Sequence, residues 1–210
     1  MHATTKSPLS RIKPVLLPGE FPAFVWSFAY FFCLLCAYYV LRPVREEMGV
    51  QGGVKNLPYL FSATFVSMLA VVPLFGWASA RWPRAKLLPI VYGFFIAHII
   101  GFYFLFKLGV SPARTAQVFF VWLSVFNVFV VSVFWSFMAD LFTPAQGARL
   151  FGVIAAGGST GALFGPLFTT GLTYLFPVPV LMLVSALFLF ACIGCIYRLE
   201  VWSRGRTVSH

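Results

Sequence analysis

Apolar side chains run along this chain in six long blocks, and every Lys, Arg, Asp and Glu falls in the stretches between or outside them. The blocks are approximately Pro22–Leu41, Leu57–Ala80, Leu87–Phe106, Thr115–Ala139, Leu150–Phe176 and Val178–Tyr197. An α-helix advances about 1.5 Å per residue, so roughly 20 residues cross a hydrocarbon layer of about 30 Å, and all six qualify. None alternates apolar and polar positions with period two, which excludes a transmembrane barrel. The pattern predicts an all-α membrane protein: residues 1–21 as a leader, 22–198 as a six-helix transmembrane domain, and 199–210 as a tail.

Composition points the same way. Of 210 residues, 60% are apolar and 10% charged, whereas a soluble domain carries roughly a quarter charged residues and covers itself with polar side chains. Lipid is therefore the expected solvent for most of the surface. The net charge of +10 does not mark a nucleic-acid binder, because its bases flank the apolar blocks instead of forming a basic stripe. The first block follows Lys6, Arg11 and Lys13 and runs to Leu41 without a small-residue cleavage site, so it is expected to stay as a span.

Charge also predicts sidedness. With the amino terminus in the cytoplasm, the inner segments hold Lys6, Arg11, Lys13, Arg81, Arg84, Lys86, Arg149, Arg198, Arg204 and Arg206. The outer segments hold Arg42, Arg45, Lys55, Lys107 and Arg114, half as many, so both termini are expected inside. Connections are short, the longest being Arg42–Asn56, and leave no room for an inserted soluble domain.

Two segments carry a family resemblance. Gly76-Trp-Ala-Ser-Ala80-Arg81-Trp-Pro83-Arg84-Ala-Lys86 resembles the loop between helices two and three of the major facilitator superfamily, G-x-x-x-D-[RK]-x-G-[RK]-[RK]. Gly76, Arg81 and Arg84 match; Ala80 replaces the acid, Pro83 replaces the second glycine, and Lys86 brings its charge one position late. In the fifth block, Gly152, Gly161, Gly165 and Pro166 have the spacing of that superfamily's exchanger-associated motif, with Thr169 and Thr170 in place of its final glycines. The stretches from Ala37 to Gly49 and from Arg149 to Gly158 are further similar to bacterial relatives of the nucleotide exchange transporters of ADP/ATP translocase type. The resemblance covers six spans and not the second six that those transporters possess. It implies half of a major-facilitator-type bundle in the inner membrane, an antiporter fold, and an anionic small-molecule substrate, with nucleotides implied by the more distant relatives.

The residues themselves propose a site. At the outer end of the first block, Arg42, Arg45 and Glu46 share a helical face, with Glu47 beside them; they form an anion site, an outer gate, or a collar that snorkels into headgroups. Tyr38 lies one turn inward. Ser124, Asn127, Val131 and Trp135 make a stripe in the fourth block, either lining a cavity or bonding a neighbouring helix. The expected substrate contacts are thus Arg42, Arg45, Tyr38, Asn127 and Trp135. Gating is assigned to Glu46, Glu47, Gly76, Arg81, Arg84, Gly161, Gly165 and Pro166, the glycine face serving either motion or a static close contact, and Asp140 with Arg149 form either an inner gate pair or a solvated surface pair.

Three other patterns are weighed. His98 lies well inside a span, as a proton carrier or as a neutral ring satisfied by a neighbour. Cys33-x-x-Cys36 and Cys192-x-x-Cys195 have zinc-like spacing but sit in apolar helices, so small buried thiols are expected and neither a metal nor a cofactor. Gly157-Gly-Ser159-Thr-Gly161 fits a hydrolase elbow in letters only, since that turn joins a strand to a helix; no enzyme is expected. Six helices supply one wall of a carrier, so a homodimer or a second six-helix half is the expected partner, beside the lipid bilayer. The alternative is a scaffold or truncated transporter fragment that binds a partner protein or lipid, with Arg198, Arg204 and Arg206 holding anionic headgroups.

Overall fold

The computed structural model describes residues 16–51, 54–82 and 84–207, together with the side chains of most of them. Lys6, Arg11, Lys13 and Pro83 lie outside the described residues, as do the side chains of Arg84 and Arg206. Six helices follow one another: α1 (Phe21–Gln51), α2 (Leu57–Arg81), α3 (Arg84–Lys107), α4 (Pro112–Leu141), α5 (Pro144–Thr173) and α6 (Val178–Thr207), with a 3-10 turn at Val54–Asn56 before α2. Each is long and apolar enough to cross a membrane, and the described residues contain no strand. The outer surface is oily, with Phe65 and Leu69 of α2, Leu163 and Leu167 of α5, and Leu187 and Phe190 of α6 all exposed. This is a multi-pass membrane protein whose lateral solvent is lipid.

Three helices outrun their apolar blocks. α1 continues ten residues beyond Leu41, through Pro43 to Gln51. The charges that mark this stretch as a loop are good helix formers, Arg42 and Glu46 approach to 4.0 Å one turn apart, and Val44 and Met48 bury against the bundle. α6 likewise carries its charged end to Thr207, with Arg204 3.8 Å from Glu200. α5 starts six residues early because Thr143 and Gln146 form a reciprocal capping box, with a proline in the first turn.

The helices α1, α4, α3 and α6 pack in a ring, α5 lies against α1, and α2 lies against α4. Exchanging α1 with α4, α2 with α5, and α3 with α6 maps this set of contacts onto itself. Consecutive spans alternate in direction, so the two three-helix units run antiparallel to each other, the arrangement of an inverted repeat.

α1 is the hub. Along α6 it is stitched by Trp202 Nε1 donating to the Gly19 carbonyl (3.1 Å), Cys192 Sγ to the Tyr30 carbonyl (3.7 Å) and Ser185 Oγ to the Ala37 carbonyl (2.8 Å). A single buried hydrogen bond of 2.6 Å between the hydroxyls of Tyr30 and Tyr92 ties it to α3. Against α5 it comes closest of all: a Cβ added to Gly157 would sit 2.7 Å from the Phe28 carbonyl oxygen, and one added to Gly165 would sit 2.7 Å from Tyr39 Cβ. Only glycine lets the two backbones approach this way.

Candidate functional site

The contact between α1 and α4, the two equivalent helices of the repeat, is fixed at two points. Toward one end Phe31 stacks on Phe134, with centroids 4.2 Å apart. Toward the other, the Arg45 guanidinium lies 4.4 Å from the centre of the Phe120 ring. Tyr38 is seven residues from each of the α1 anchors, and Asn127 is seven from each of the α4 anchors. Seven residues make nearly two full turns, so Tyr38 and Asn127 share the seam and stand level with each other. Both fall near the middle of their helices, and Tyr38 lies one turn inward of Arg42.

This level of the seam is polar where the rest is aromatic. Tyr38 is buried at 6% exposure and Asn127 is half-buried. Among the described residues neither the Tyr38 hydroxyl nor the Asn127 amide has a hydrogen-bond partner. Neither polar end is fully enclosed, so both reach the surface of the six-helix unit, where a further contact can meet them. Ser124, on the same stripe, is settled locally: its hydroxyl donates to the Phe120 carbonyl at 2.8 Å. Trp135 packs edge-on against Phe31 (5.4 Å) and Phe151 (5.6 Å), next to the stacked pair that floors the polar level.

At the far end of the seam, Arg45 is held by weak contacts. Its side chain is 14% exposed, its Nη1 stands 3.9 Å from a Glu46 oxygen, and its Nε is buried without a partner among the described residues. Arg42 is half exposed, 4.0 Å from the same carboxylate and 5.5 Å from the Tyr39 ring centre. Glu47 is exposed beside them. The two guanidiniums approach Glu46 only loosely and Glu47 makes a contact of its own, which leaves guanidinium donors, the buried Arg45 Nε among them, for an anion.

The opposite end is closed by groups that are better matched. Glu20, one residue before α1, receives Arg149 through both oxygens (2.8 and 3.0 Å), Gln146 Nε2 at 3.0 Å and the Leu17 amide at 3.0 Å. The Arg149 bond is the main cause, against the opposing pull of burial, of a Glu20 pKa lowered from 4.5 to about 2, with the Leu17 and Gln146 bonds adding to it. Arg149 has a bidentate partner in Glu20, which with Gln146 is not among the sequence candidates, while Asp140 stands exposed at the end of α4 and makes a contact of its own. Glu20 was findable as one of only five acids, placed directly before a span, and Thr143-x-x-Gln146 carries the capping-box signature.

The remaining gating candidates separate. Gly161 and Gly165 face α1, joined by Gly157 and Gly158, and Gly161 also receives the Cys36 thiol on its carbonyl at 3.5 Å. α5 runs unbroken through Pro166. Gly152 and Gly76 are exposed, with no atom near their would-be Cβ positions, and Arg81, the last residue of α2, holds its guanidinium 4.8 Å from the Trp77 ring centre. Arg84 opens α3. His98 lies exposed on α3, its Nδ1 2.8 Å from the Phe94 carbonyl. No protein family matches the sequence, and neither a curated protein nor a solved structure is similar to it.

Proposed function

We propose that this chain is the six-helix unit of a secondary transporter that moves an anionic small metabolite across the inner membrane by alternating access. The observation that carries the reading is the contact set that maps onto itself when the two three-helix units are exchanged. Inverted repeats of this kind place their solute path near mid-membrane where the units meet, and the α1/α4 seam, between two helices that the exchange maps onto each other, is one of the lines along which they meet here. Its positive end, Arg42 and Arg45, supplies the anion preference; its other end carries the Glu20–Arg149 latch, on the side assigned to the cytoplasm by charge bias. A complete path needs a second wall, from another copy or another six-helix half. Nucleotides are the first class to try, because of the resemblance of the Ala37–Gly49 and Arg149–Gly158 stretches to exchange transporters.

The test is exchange of labelled organic anions in proteoliposomes. Arg45→Gln is expected to cut the rate at least about tenfold, the worth of one charge-assisted contact of about 1.5–3 kcal/mol. Equal rates in wild type, Arg45→Gln and empty vesicles for nucleotides, carboxylates and phosphate esters alike would favour a scaffold that binds protein or lipid.

A further inference from the structure

An imidazole faces lipid well inside the membrane. His98 lies exposed on α3, nine residues from Lys107 and twelve from Lys86, or about 13.5 and 18 Å from the charges that flank the span. Its Nδ1 stands 2.8 Å from the Phe94 carbonyl, and a carbonyl oxygen only accepts, so the ring proton is on Nδ1. A lone imidazolium at this depth is costly, which keeps the ring neutral and leaves Nε2 as a bare acceptor. Among the described residues, Nε2 has no hydrogen-bond partner.

The surroundings are aromatic and open. His98 packs on Phe94 with ring centres 4.0 Å apart and lies nearly parallel to Trp122 at 6.3 Å, while Phe102 leans on Trp122 at 5.3 Å. A groove of about 260 Å³ runs alongside, lined by Ala97, His98, Gly101, Phe102 and Leu105. Gly101 has nothing near its would-be Cβ, so its missing side chain is part of that space. His98, Gly101 and Leu105 are all exposed, and the groove therefore opens on the lipid side of α3. Its volume falls just short of the range of about 300–1,000 Å³ for drug-sized sites, which leaves room for a single substituted ring.

Depth and chemistry restrict the occupant. Phospholipid headgroups stay at the interface, and ions and other charged solutes do not dissolve in the hydrocarbon. What reaches His98 from the side is an apolar molecule, and what satisfies Nε2 is an O–H or N–H donor. Aromatic walls favour a flat ring over an acyl chain. A second copy of this chain is the poorer occupant, since an isologous contact of α3 on α3 would set His98 against its like, acceptor against acceptor. We infer that the His98 groove is a lateral binding site for a membrane-dissolved phenol or hydroquinone, whose hydroxyl donates to Nε2 while its ring fills the space over Gly101. This goes beyond the transport reading and does not depend on it, because the ligand enters from lipid and carries no charge.

The experiment uses the full chain in lipid nanodiscs and three probes: para-nonylphenol, its methyl ether, which keeps the ring without the donor, and dodecanol, which keeps the donor without the ring. Retention is measured in excess of empty nanodiscs, and the His98 Nε2 signal is followed by nitrogen NMR, assigned by its absence from His98→Phe. Wild type is expected to retain the phenol about three- to tenfold more strongly than the ether, with dodecanol also below the phenol, and the phenol should move the Nε2 signal where the ether does not. His98→Phe should abolish the preference for phenol over ether, and Gly101→Leu, which fills the groove, should abolish retention of both. Each variant changes an exposed position, and the wild-type comparison of phenol with ether decides the matter even if a variant fails to fold. Equal retention of phenol and ether by wild type overturns the proposal, as does a preference that survives in His98→Phe. Dodecanol retained as well as the phenol overturns it in favour of an acyl-chain contact. Cross-linking of two chains through Ala97→Cys, with no retention of the phenol, overturns it in favour of a second copy on this face.

Discussion

α5 on α1 and α2 on α4 occupy equivalent places in the two three-helix units, yet they are attached in opposite ways. α5 presents Gly157, Gly158, Gly161 and Gly165 to α1; Gly157 and Gly161 meet the α1 backbone itself, and Gly158 receives the Phe31 ring. α2 meets α4 through large side chains, Phe61 on Phe120 at 5.6 Å and Phe75 on Phe129 at 4.8 Å, and buries only Leu60 and Thr64 among its described residues. A cavity of about 60 Å³ remains between them, lined by Met68, Phe75, Val125 and Ser132 among others. In lipid, where apolar surface gains little by leaving its solvent, close van der Waals contact is what holds helices together. One arm of the repeat is therefore closely joined to its central helix, α1, and the other merely rests against its own, α4.

Gly161→Val is the strongest way to break this contrast. Its side chain must enter the space held by the Phe32 carbonyl, which the rigid α1 backbone cannot vacate, so a loss of at least about 3 kcal/mol is expected in detergent unfolding. Wild-type stability would mean that the two helices do not touch as described.

Next in size is the latch at the lower end of the α1–α5 pair. Glu20→Gln removes one partner of a largely buried ion pair, and because Arg149 keeps 20% exposure the expected loss is about 2 kcal/mol. The folded pKa of about 2 lies below the ordinary 4.5, so the Glu20 contribution is whole above pH 4.5 and drains away as pH falls toward 2. Unfolding midpoints of wild type should drop across that window, and those of Glu20→Gln should drop less. Parallel curves would refute the assignment.

Gly76→Ala probes the loose arm and carries the smallest effect. Nothing lies near its added methyl group, so the gain in helix propensity should raise stability by about 0.5–1 kcal/mol. A loss instead would reveal a close neighbour on α2 that the lone six-helix unit lacks, and would sharpen the case for a second half.

The spans were legible because lipid imposes a length and a composition that six blocks meet and no soluble fold would. Their ends were less so: a charge such as Arg42 signals the edge of the hydrocarbon, not of the helix, and α1 and α6 carry on into the polar zone. Within the site, the choice of Tyr38, Asn127 and Arg45 could be made from residue type, but their common seam could not, since heptad register between two helices is a property of packing. The Glu20–Arg149 pair joins residues 129 positions apart, and nothing local to either chooses it over Asp140. The symmetry of the contacts was equally invisible, because the two units resemble each other in how they pack and not in their letters.

Because α1 and α5 run in the same direction and are fused along several turns, they behave as a splinted rod with Arg45 near its upper tip and Arg149 clamped at its foot. A tilt imposed at the top would arrive at the foot with little lost in bending. A spectroscopic label placed near Glu20 would then register an event some two dozen residues away on the other face of the membrane.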